Sequence, residues 1–244
     1  MPEEPGDSLL IKVRAIVETC ARNEVLGLNE LARRSGVPKA TVHRLGAELL
    51  SWGVLERHDG RYRLGPRLYE LGLQVPRNLK LRAAALPFME DLFASTQESV
   101  HLGVRGDLEL FRIERFLGPR GISASRAPNR SPLHCSASGK VLLAFAEEDV
   151  LARTIEAGLR PRTRFTITDP DTLRANIAAV RDSGYAVDRQ EHASGCDAVA
   201  VPVFAGDALI GCLSLVAPPD RFDPRRLVPA LQTASRGLGR TLAL

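Results

Sequence analysis

The sequence predicts an α+β protein with a helical N-terminal part and a C-terminal part built on a largely antiparallel sheet. Three observations predict this fold class. Residues 27–50 have the pattern of two short helices joined by a tight turn. Two short β-prone runs separated by Asp-Gly follow at once, over residues 54–64. Beyond residue 98, strand-like runs stand on both sides of a group of helices, which is typical of an α+β domain.

The first helices predict a surface that meets nucleic acid. A run after Ser8 has apolar residues at helical spacing and would support the helix pair. In the second helix of the pair, Val42, Leu45 and Leu49 share one face. The opposite face carries small, hydroxyl and cationic side chains, namely Lys39, Ala40, Thr41, His43 and Arg44. Such a face suits phosphates and base edges, as in a helix-turn-helix, although a helical hairpin with solvated arginines is the alternative.

The strand pair after these helices strengthens the nucleic-acid interpretation. A hairpin in this place is the wing of a winged helix-turn-helix, and its basic side chains are Arg57, Arg61 and Arg63. Residues 22–67 hold nine Lys or Arg against five Asp or Glu, a surplus of four. The whole chain has a net charge of +4, so its basic surplus lies where the motif lies.

The domain boundaries follow from prolines and helical periodicity. Pro66 can open a short linker helix over residues 66–78, and a further helical pattern continues to residue 96, with a kink or break at Pro87. We therefore expect a winged helix-turn-helix at 8–65, a linker helix at 66–78 and a second domain at 79–244. The linker helix either serves as a plain connector or makes dimer contacts.

The second domain is expected to alternate between strands and helices in a defined order. The expected strands and helices are strands at 99–104, 108–113 and 122–125, helices at 138–145, 147–157 and 170–183, strands at 185–189, 198–204 and 209–216, and a helix at 224–242.

A loop of small residues before the first of these helices is the densest cluster of chemically interesting residues. Residues 133–140, LHCSASGK, would leave backbone N–H groups unpaired at a helix start, which suits a carboxylate. Simple capping by Ser136 or Ser138 is the alternative. A phosphate-binding P-loop fails on spacing because His134 stands where glycine is needed. A Ser-x-x-Lys nucleophile fails because Ala137 stands three residues before Lys140.

Two further features of the second domain have polar side chains suited to a ligand. Asp188 or Glu191 would accept hydrogen bonds from a ligand, or would pair with Arg189 at the surface. Ser214 is a polar residue in an apolar strand and either lines a pocket or bonds its own backbone. A nucleophile made of Cys135 or Cys196 with His134 or His192 is a minor alternative.

Composition excludes several classes of protein. With 244 residues, 44% of them hydrophobic and 25% charged, the chain is an ordinary globular protein of two domains. The four cysteines are far apart and lack metal-ligand spacing, so we expect neither a disulfide framework nor a zinc site, and no cofactor. No signal peptide and no long apolar run is evident, so we expect a cytoplasmic protein without membrane contact.

The chain resembles the IclR family of bacterial transcriptional regulators over nearly its whole length. The stretches that carry the resemblance are GLNELARRSGVPKATVHRL, RYRLGPRLYELG, PLHCSASGKVLLA, GYAVDRQEHASG and AVAVPVF. The resemblance implies an N-terminal winged helix-turn-helix, a linker helix and a C-terminal GAF-like domain that binds a small effector, commonly an organic acid. It also implies a homodimer through the DNA-binding domains and often a homotetramer.

The resemblance further implies where the effector binds. The matching positions are Ala137, Ser138, Asp188, Cys196, Ala198, Ser214 and Val216. Two departures concern the region of Asp197 and Ala198, where the family often has Arg or Cys, and Val216, where a second serine is seen. The pocket is therefore expected to be less polar, which favours a larger or aromatic acid over one of two or three carbons.

The sequence as a whole indicates a sequence-specific DNA-binding regulator of transcription, which we expect to be a repressor, controlled by a small carboxylic acid and not an enzyme. Its partners would be double-stranded operator DNA, the effector and further copies of itself. The alternatives are a thiol- or serine-dependent enzyme with an accessory DNA-binding head and a ligand-independent oligomeric DNA-binding protein. No nucleophile elbow, metal-ligand cluster or dinucleotide loop supports the enzyme.

Overall fold

The computed structural model describes residues 8–23, 25–72, 74–119 and 129–243. The chain forms two compact units that meet in sequence between Leu79 and Lys80. The helices and strands are α1 (Leu9–Ala21), α2 (Leu28–Ser35), α3 (Lys39–Ser51), β1 (Leu55–His58), β2 (Arg61–Leu64), α4 (Arg67–Gly72), α5 (Pro76–Thr96), β3 (Ser99–Gly106), β4 (Glu109–Phe116), β5 (Arg130–Pro132), a 3-10 turn (Leu133–Cys135), α6 (Ala137–Ala144), α7 (Glu148–Glu156), α8 (Pro170–Ser183), β6 (Ala186–Arg189), β7 (Asp197–Ala205), β8 (Ala208–Ala217) and α9 (Pro224–Leu242).

The N-terminal unit packs three helices against a two-stranded hairpin. Val42, Leu45 and Leu49 of α3 are buried in its core, on the face that the sequence predicts. Gly36 ends α2 with φ of 69°, a left-handed conformation that glycine adopts without steric cost. The hairpin turn is Asp59-Gly60 with φ of 50° and 74°, which matches the right-handed twist of the two strands.

The region between the hairpin and the sheet differs in its bounds from the linker helix expected at 66–78 and the helical pattern expected to follow it as far as residue 96. The first helix, α4, already ends at Gly72, and Pro76, which lies inside the expected linker helix, begins α5. Proline is favoured in the first turn of a helix, where no backbone N–H is needed. Pro87 lies inside α5, which continues through it to Thr96, so the helix does not break there.

The C-terminal unit is a six-stranded antiparallel sheet with helices on both faces. The strand order is β5-β4-β3-β8-β7-β6. One face packs on α5 and α9 through residues such as Met89 and Leu231. The other face packs on α6 and α8 through residues such as Leu142 and Ile177. Apolar residues alternate between the two faces along β7 and β8, and this alternation gives the sheet its two cores.

A short strand and turn that the sequence did not predict fix the start of α6. The strand is β5, and the 3-10 turn after it leads to Ser136. A Cβ atom on Gly139 would lie 2.1 Å from the carbonyl oxygen of Leu133, so only glycine allows α6 to begin against this turn. The strand expected at 122–125 lies outside the described residues. In the part of the chain that is described, no helix is long and apolar enough to span a membrane.

Candidate DNA-binding surface and ligand pocket

The outer face of α3 is open to solvent along its N-terminal half. Lys39, Ala40, His43 and Arg44 are exposed, and Thr41 is half-buried. The helix keeps this face outward because Val42 and Leu45 on its other side are fully buried. Small and cationic side chains without a large hydrophobe allow a helix to approach the base edges of a major groove closely.

The predicted arginines of the wing have different roles in the structure. Arg57 donates to the carbonyl oxygen of Gly60 at 2.7 Å and stacks on Tyr62, with 4.7 Å from its guanidinium carbon to the ring centre. Arg63 pairs with Glu56 on the neighbouring strand. Both arginines thus hold the hairpin together. Arg61 is exposed at the turn, and it lines a groove of about 880 Å³ together with Lys39 of α3.

Arg44 forms an exposed ion pair with Glu48 one helical turn away, at 3.3 Å between Nη1 and Oε1. Exposed pairs of this kind contribute about 0.3 to 0.5 kcal/mol, so DNA phosphates or base edges can replace Glu48 at little cost. We expect Arg44→Ala to weaken operator binding by about 1 to 3 kcal/mol through a lost base contact. Fluorescence anisotropy on duplexes selected from a random pool measures the effect.

Arg14 provides the matched control for Arg44. It is also an exposed helical arginine paired with a glutamate four residues on, at 3.2 Å from Glu18, but it lies on α1. Arg14→Ala removes the same charge and a similar ion pair while α3 stays intact. Equal losses for Arg14→Ala and Arg44→Ala would show a general electrostatic effect and would remove Arg44 from the recognition surface.

A cavity in the C-terminal unit lies between the start of α6 and the sheet. It has about 40 Å³ of space accessible to water, and its lining residues are His101, Arg112, Ser136, Ala137, Ser138, Asp188, His192, Ala193, Cys196, Ala198, Ser214 and Val216. All seven positions predicted from the family resemblance thus lie around one cavity. Their role in binding an effector stays a prediction.

The start of α6 is capped by a serine and also lies beside the cavity, so both interpretations of the loop 133–140, a helix cap and a ligand site, apply. Ser136 caps the helix, since its Oγ accepts a hydrogen bond from the N–H of Gly139 at 3.1 Å. Ser136, Ala137 and Ser138 also line the cavity, which places the first turn of the helix beside the ligand space. The positive end of the helix dipole therefore favours a negative group there.

Asp188 is buried on β6 and belongs to the same cavity. Its Oδ1 accepts from the backbone N–H of Glu191 at 2.6 Å and from that of His192 at 3.4 Å. Burial, together with the nearby negative charge of Glu191, raises the pKa of the Asp188 carboxyl from 3.8 to about 7. A protonated carboxyl donates a hydrogen bond, whereas an ionised one only accepts.

A buried ion pair supports the loop that follows Asp188. Lys140 of α6 is fully buried and donates from Nζ to Oε1 of Glu191 at 2.6 Å. Thr166 fixes the backbone of the same loop by donating from Oγ1 to the carbonyl oxygen of Glu191 at 2.7 Å. Neither acid of the predicted pair contacts Arg189, which binds Asp197 instead at 2.6 Å.

Five lining residues were not among the predicted effector positions, although Ser136 belongs to the predicted carboxylate loop; they are His101, Arg112, Ser136, His192 and Ala193. His101 and Arg112 lie inside β3 and β4, on the sheet face that meets α6. The sequence signal for these two residues is the same as for Ser214, namely a polar residue within an apolar strand. Arg112 is buried, and its Nη1 donates to Oγ of Ser131 at 3.2 Å.

Comparisons with known proteins find similarity along nearly the whole chain. Residues 73–240 match the model of the bacterial transcriptional regulator IclR C-terminal domain, and residues 20–59 match that of the IclR helix-turn-helix domain. The HTH-type transcriptional regulator KdgR of Escherichia coli is 32% identical over 94% of this chain and 90% of its own length. The chain belongs to the IclR family.

Solved structures of the IclR family agree with this assignment. An IclR homologue from Microbacterium hydrocarbonoxydans, complexed with 4-hydroxybenzoate, is 32% identical and has a TM-score of 0.88, covering 96% of this chain and 99% of that one. The IclR protein of Thermotoga maritima is 28% identical with a TM-score of 0.77, covering 96% and 98%. The IclR family is one of transcriptional regulators, so the predictions of a DNA-binding regulator and of a protein that is not an enzyme are confirmed.

The thiol-dependent enzyme is also opposed by the chemistry of the nearest cysteine and histidine. Sγ of Cys135 lies 3.7 Å from Nδ1 of His192. Burial raises the pKa of the Cys135 thiol to about 12. Burial and the charges of Arg112 and Arg162 lower the pKa of His192 to about 3. Both groups are therefore neutral near pH 7, and no thiolate forms to act as a nucleophile. Among the described residues, no group of three or more His, Cys, Asp or Glu is placed to hold a metal ion.

Proposed function

We propose that this IclR-family protein is a repressor that binds operator DNA sequence-specifically and is controlled by a small organic acid in the C-terminal cavity. One observation carries the proposal. Residues from five separate strands and from the start of α6 converge on a single buried cavity. A positive helix end, Arg112 and three serines are concentrated there, which is the donor set that a carboxylate prefers.

We further propose that the effector is a hydroxylated aromatic acid. Val216 and three alanines leave the middle of the cavity apolar, which suits a ring, while charged groups stand around it. The Microbacterium protein, which is 32% identical, was solved with 4-hydroxybenzoate. The cavity of about 40 Å³ holds only about three water molecules. An aromatic acid therefore requires the cavity to widen, and we expect the loop 190–196, which lines it with His192, Ala193 and Cys196, to be the part that moves.

The same proposal assigns roles to the parts of the chain. Residues 8–65 bind DNA, residues 66–78 connect, and residues 79–244 bind the effector and assemble the oligomer. Exposed apolar side chains in the N-terminal unit, including Leu10 and Tyr69 at 77% and 71% exposure, support a dimer formed through this unit. A repressor of bacterial genes acts in the cytoplasm, where its operator lies.

A thermal-shift screen of the full chain against aliphatic and aromatic carboxylates tests the effector class. We expect saturable stabilisation by hydroxylated aromatic acids, because a ligand that binds only the folded state raises its melting temperature. Ser138→Trp fills the cavity and should abolish the shift, whereas Ser183→Trp, at an exposed serine of α8, should retain it. Tighter binding of glyoxylate than of any aromatic acid would contradict the aromatic class.

The screen also separates the proposal from a ligand-independent DNA-binding protein. If no acid shifts the melting temperature, the C-terminal unit only assembles the DNA-binding heads. If an acid binds, its affinity must change when operator is added, by the same factor by which the acid changes operator affinity. Equal acid affinity with and without operator would refute control by the effector.

A further inference from the structure

We propose that the cavity has two chemically opposite ends, an anion end at Arg112 and His101 and a hydroxyl end at Asp188, which together set the orientation of the bound acid. This inference rests on the proposed function and deepens it. Neither His101 nor Arg112 is among the positions that the family resemblance supplied. The ligand class is an extended hydroxy acid, with its carboxylate toward β4 and its hydroxyl group toward β6.

The strand order separates the two ends. Asp188 lies on the edge strand β6, and Arg112 lies on β4, with β7, β8 and β3 between them. Four strand spacings correspond to about 19 Å between the two backbones. Side chains shorten this gap, but one small carboxylate does not reach both groups. Ala198 and Ser214, on two of the strands between, line the middle of the cavity.

Charge is distributed unequally between the two ends. At the β6 end, Asp188 stands beside Glu191, and the cation of Lys140 is already bound to Glu191 at 2.6 Å. An incoming carboxylate is repelled there, while a hydroxyl group can donate to Asp188. At the β4 end the guanidinium of Arg112 lines the cavity, held in place by Ser131. A buried guanidinium attracts a carboxylate strongly because little solvent screens the two charges.

An unsatisfied histidine marks the anion end independently. His101 is 4% exposed and lines the cavity, and among the described residues its Nε2 has no hydrogen-bond partner. A buried polar atom without a partner costs free energy, so it is expected to have one when the site is filled. Ser214 is its cross-strand neighbour on β8, so a hydroxyl group adjoins His101 on the side toward the middle of the cavity.

The test compares ligands that lack one functional group with variants of the full-length protein that lack one side chain. Calorimetry gives the Kd of 4-hydroxybenzoate, of benzoate, which lacks the hydroxyl group, and of phenol, which lacks the carboxylate. We expect Arg112→Gln to raise the Kd of 4-hydroxybenzoate and of benzoate at least tenfold. The Kd of phenol should change by less than twofold. We expect Asp188→Ala, which removes the acceptor, to weaken the binding of 4-hydroxybenzoate and phenol at least threefold and to leave the Kd of benzoate within twofold.

Matched variants control for charge and for folding. Arg130→Gln removes one guanidinium from the neighbouring strand β5, outside the cavity, and should change no Kd by more than twofold. If Arg112→Gln fails to fold, His101→Gln tests the same end. It should weaken the binding of 4-hydroxybenzoate and benzoate at least threefold and leave the binding of phenol unchanged. Arg112→Lys keeps the charge and should bind the acids with intermediate affinity, since lysine lacks the planar fork.

The outcomes distinguish this inference from the proposed function. The reverse coupling, in which Asp188→Ala weakens the binding of benzoate and Arg112→Gln weakens the binding of phenol, would overturn the two-ended pocket and leave the proposed function standing. If 4-hydroxybenzoate does not bind the wild-type protein but another acid of the screen does, the two-ended pocket is likewise overturned and the proposed function stands. Failure of every acid in the screen would overturn both.

Discussion

Lys140→Met is expected to lower the free energy of unfolding of the C-terminal unit by about 3 to 5 kcal/mol, because it leaves Glu191 charged and unpaired in a buried place. Lys140 is fully buried and its Nζ lies 2.6 Å from Oε1 of Glu191. The other oxygen, Oε2, is buried without a hydrogen-bond partner among the described residues, so no second contact compensates for the loss. Urea unfolding followed by far-UV circular dichroism measures the effect.

Two controls make this prediction specific. Lys80→Met changes an exposed lysine and should alter stability by less than about 0.5 kcal/mol. The double variant Lys140→Met/Glu191→Met removes both charges and should recover most of the loss, since an apolar pair often replaces a buried ion pair at little cost. Fluorescence of Trp52, the single tryptophan of the chain, follows the N-terminal unit separately. A double variant as unstable as the single one would contradict the assigned cause.

Asp188→Asn is expected to gain stability relative to wild type as pH rises from about 4 to about 7. The folded protein holds the Asp188 proton more tightly than the unfolded chain does, because its pKa is raised from 3.8 to about 7. Stability contributed by this carboxyl is therefore lost as pH rises through that window. The difference between the variants should reach at most ~4 kcal/mol, since each pKa unit corresponds to about 1.4 kcal/mol.

The measured quantity is the difference in the free energy of unfolding between Asp188→Asn and the wild-type protein at each pH. His101 and His192 have pKa values lowered to about 3 by burial and by nearby arginines, so their contribution to stability is lost as pH falls below about 6.5. This opposite slope is common to both proteins and cancels in the difference. Asparagine keeps the oxygen that accepts from the backbone of Glu191. Urea unfolding at a series of pH values that gave a constant difference would show that Asp188 titrates normally.

Much of the fold can be predicted from the sequence because helix caps and turn residues act on their own neighbours in the chain. Residues 224–242 were predicted as one helix, and α9 has those bounds because Asp223 caps it and Pro224 begins it. Asp59-Gly60 likewise determines the hairpin through backbone conformations available within the turn itself. Helix caps and turns depend on neighbours in sequence, so they can be read without knowing the tertiary structure.

The parts that were missed depend on tertiary contacts. Lys140 and Glu191 form an ion pair across 51 residues, and spacing in the sequence does not indicate it. Arg112 and His101 are buried polar residues in strands, where the pattern suits an exposed face equally well. The loop 133–140, Asp188 and Ser214 were singled out from their residue types, but only the family resemblance placed them with Cys196, Ala198 and Val216 around one effector. Strand β5 has three residues, too few for an alternating pattern.

The pairing of β3 with β8 determines when the cavity can form during synthesis. His101 and Ser214 are cross-strand neighbours although more than one hundred residues separate them along the chain. The centre of the sheet thus closes only after β8 has left the ribosome, whereas α1 to β2 have complete local contacts long before. Contacts between such distant residues slow folding because a long loop must close first. A nascent chain would therefore acquire a folded DNA-binding head well before it has any site at which a metabolite can act on it.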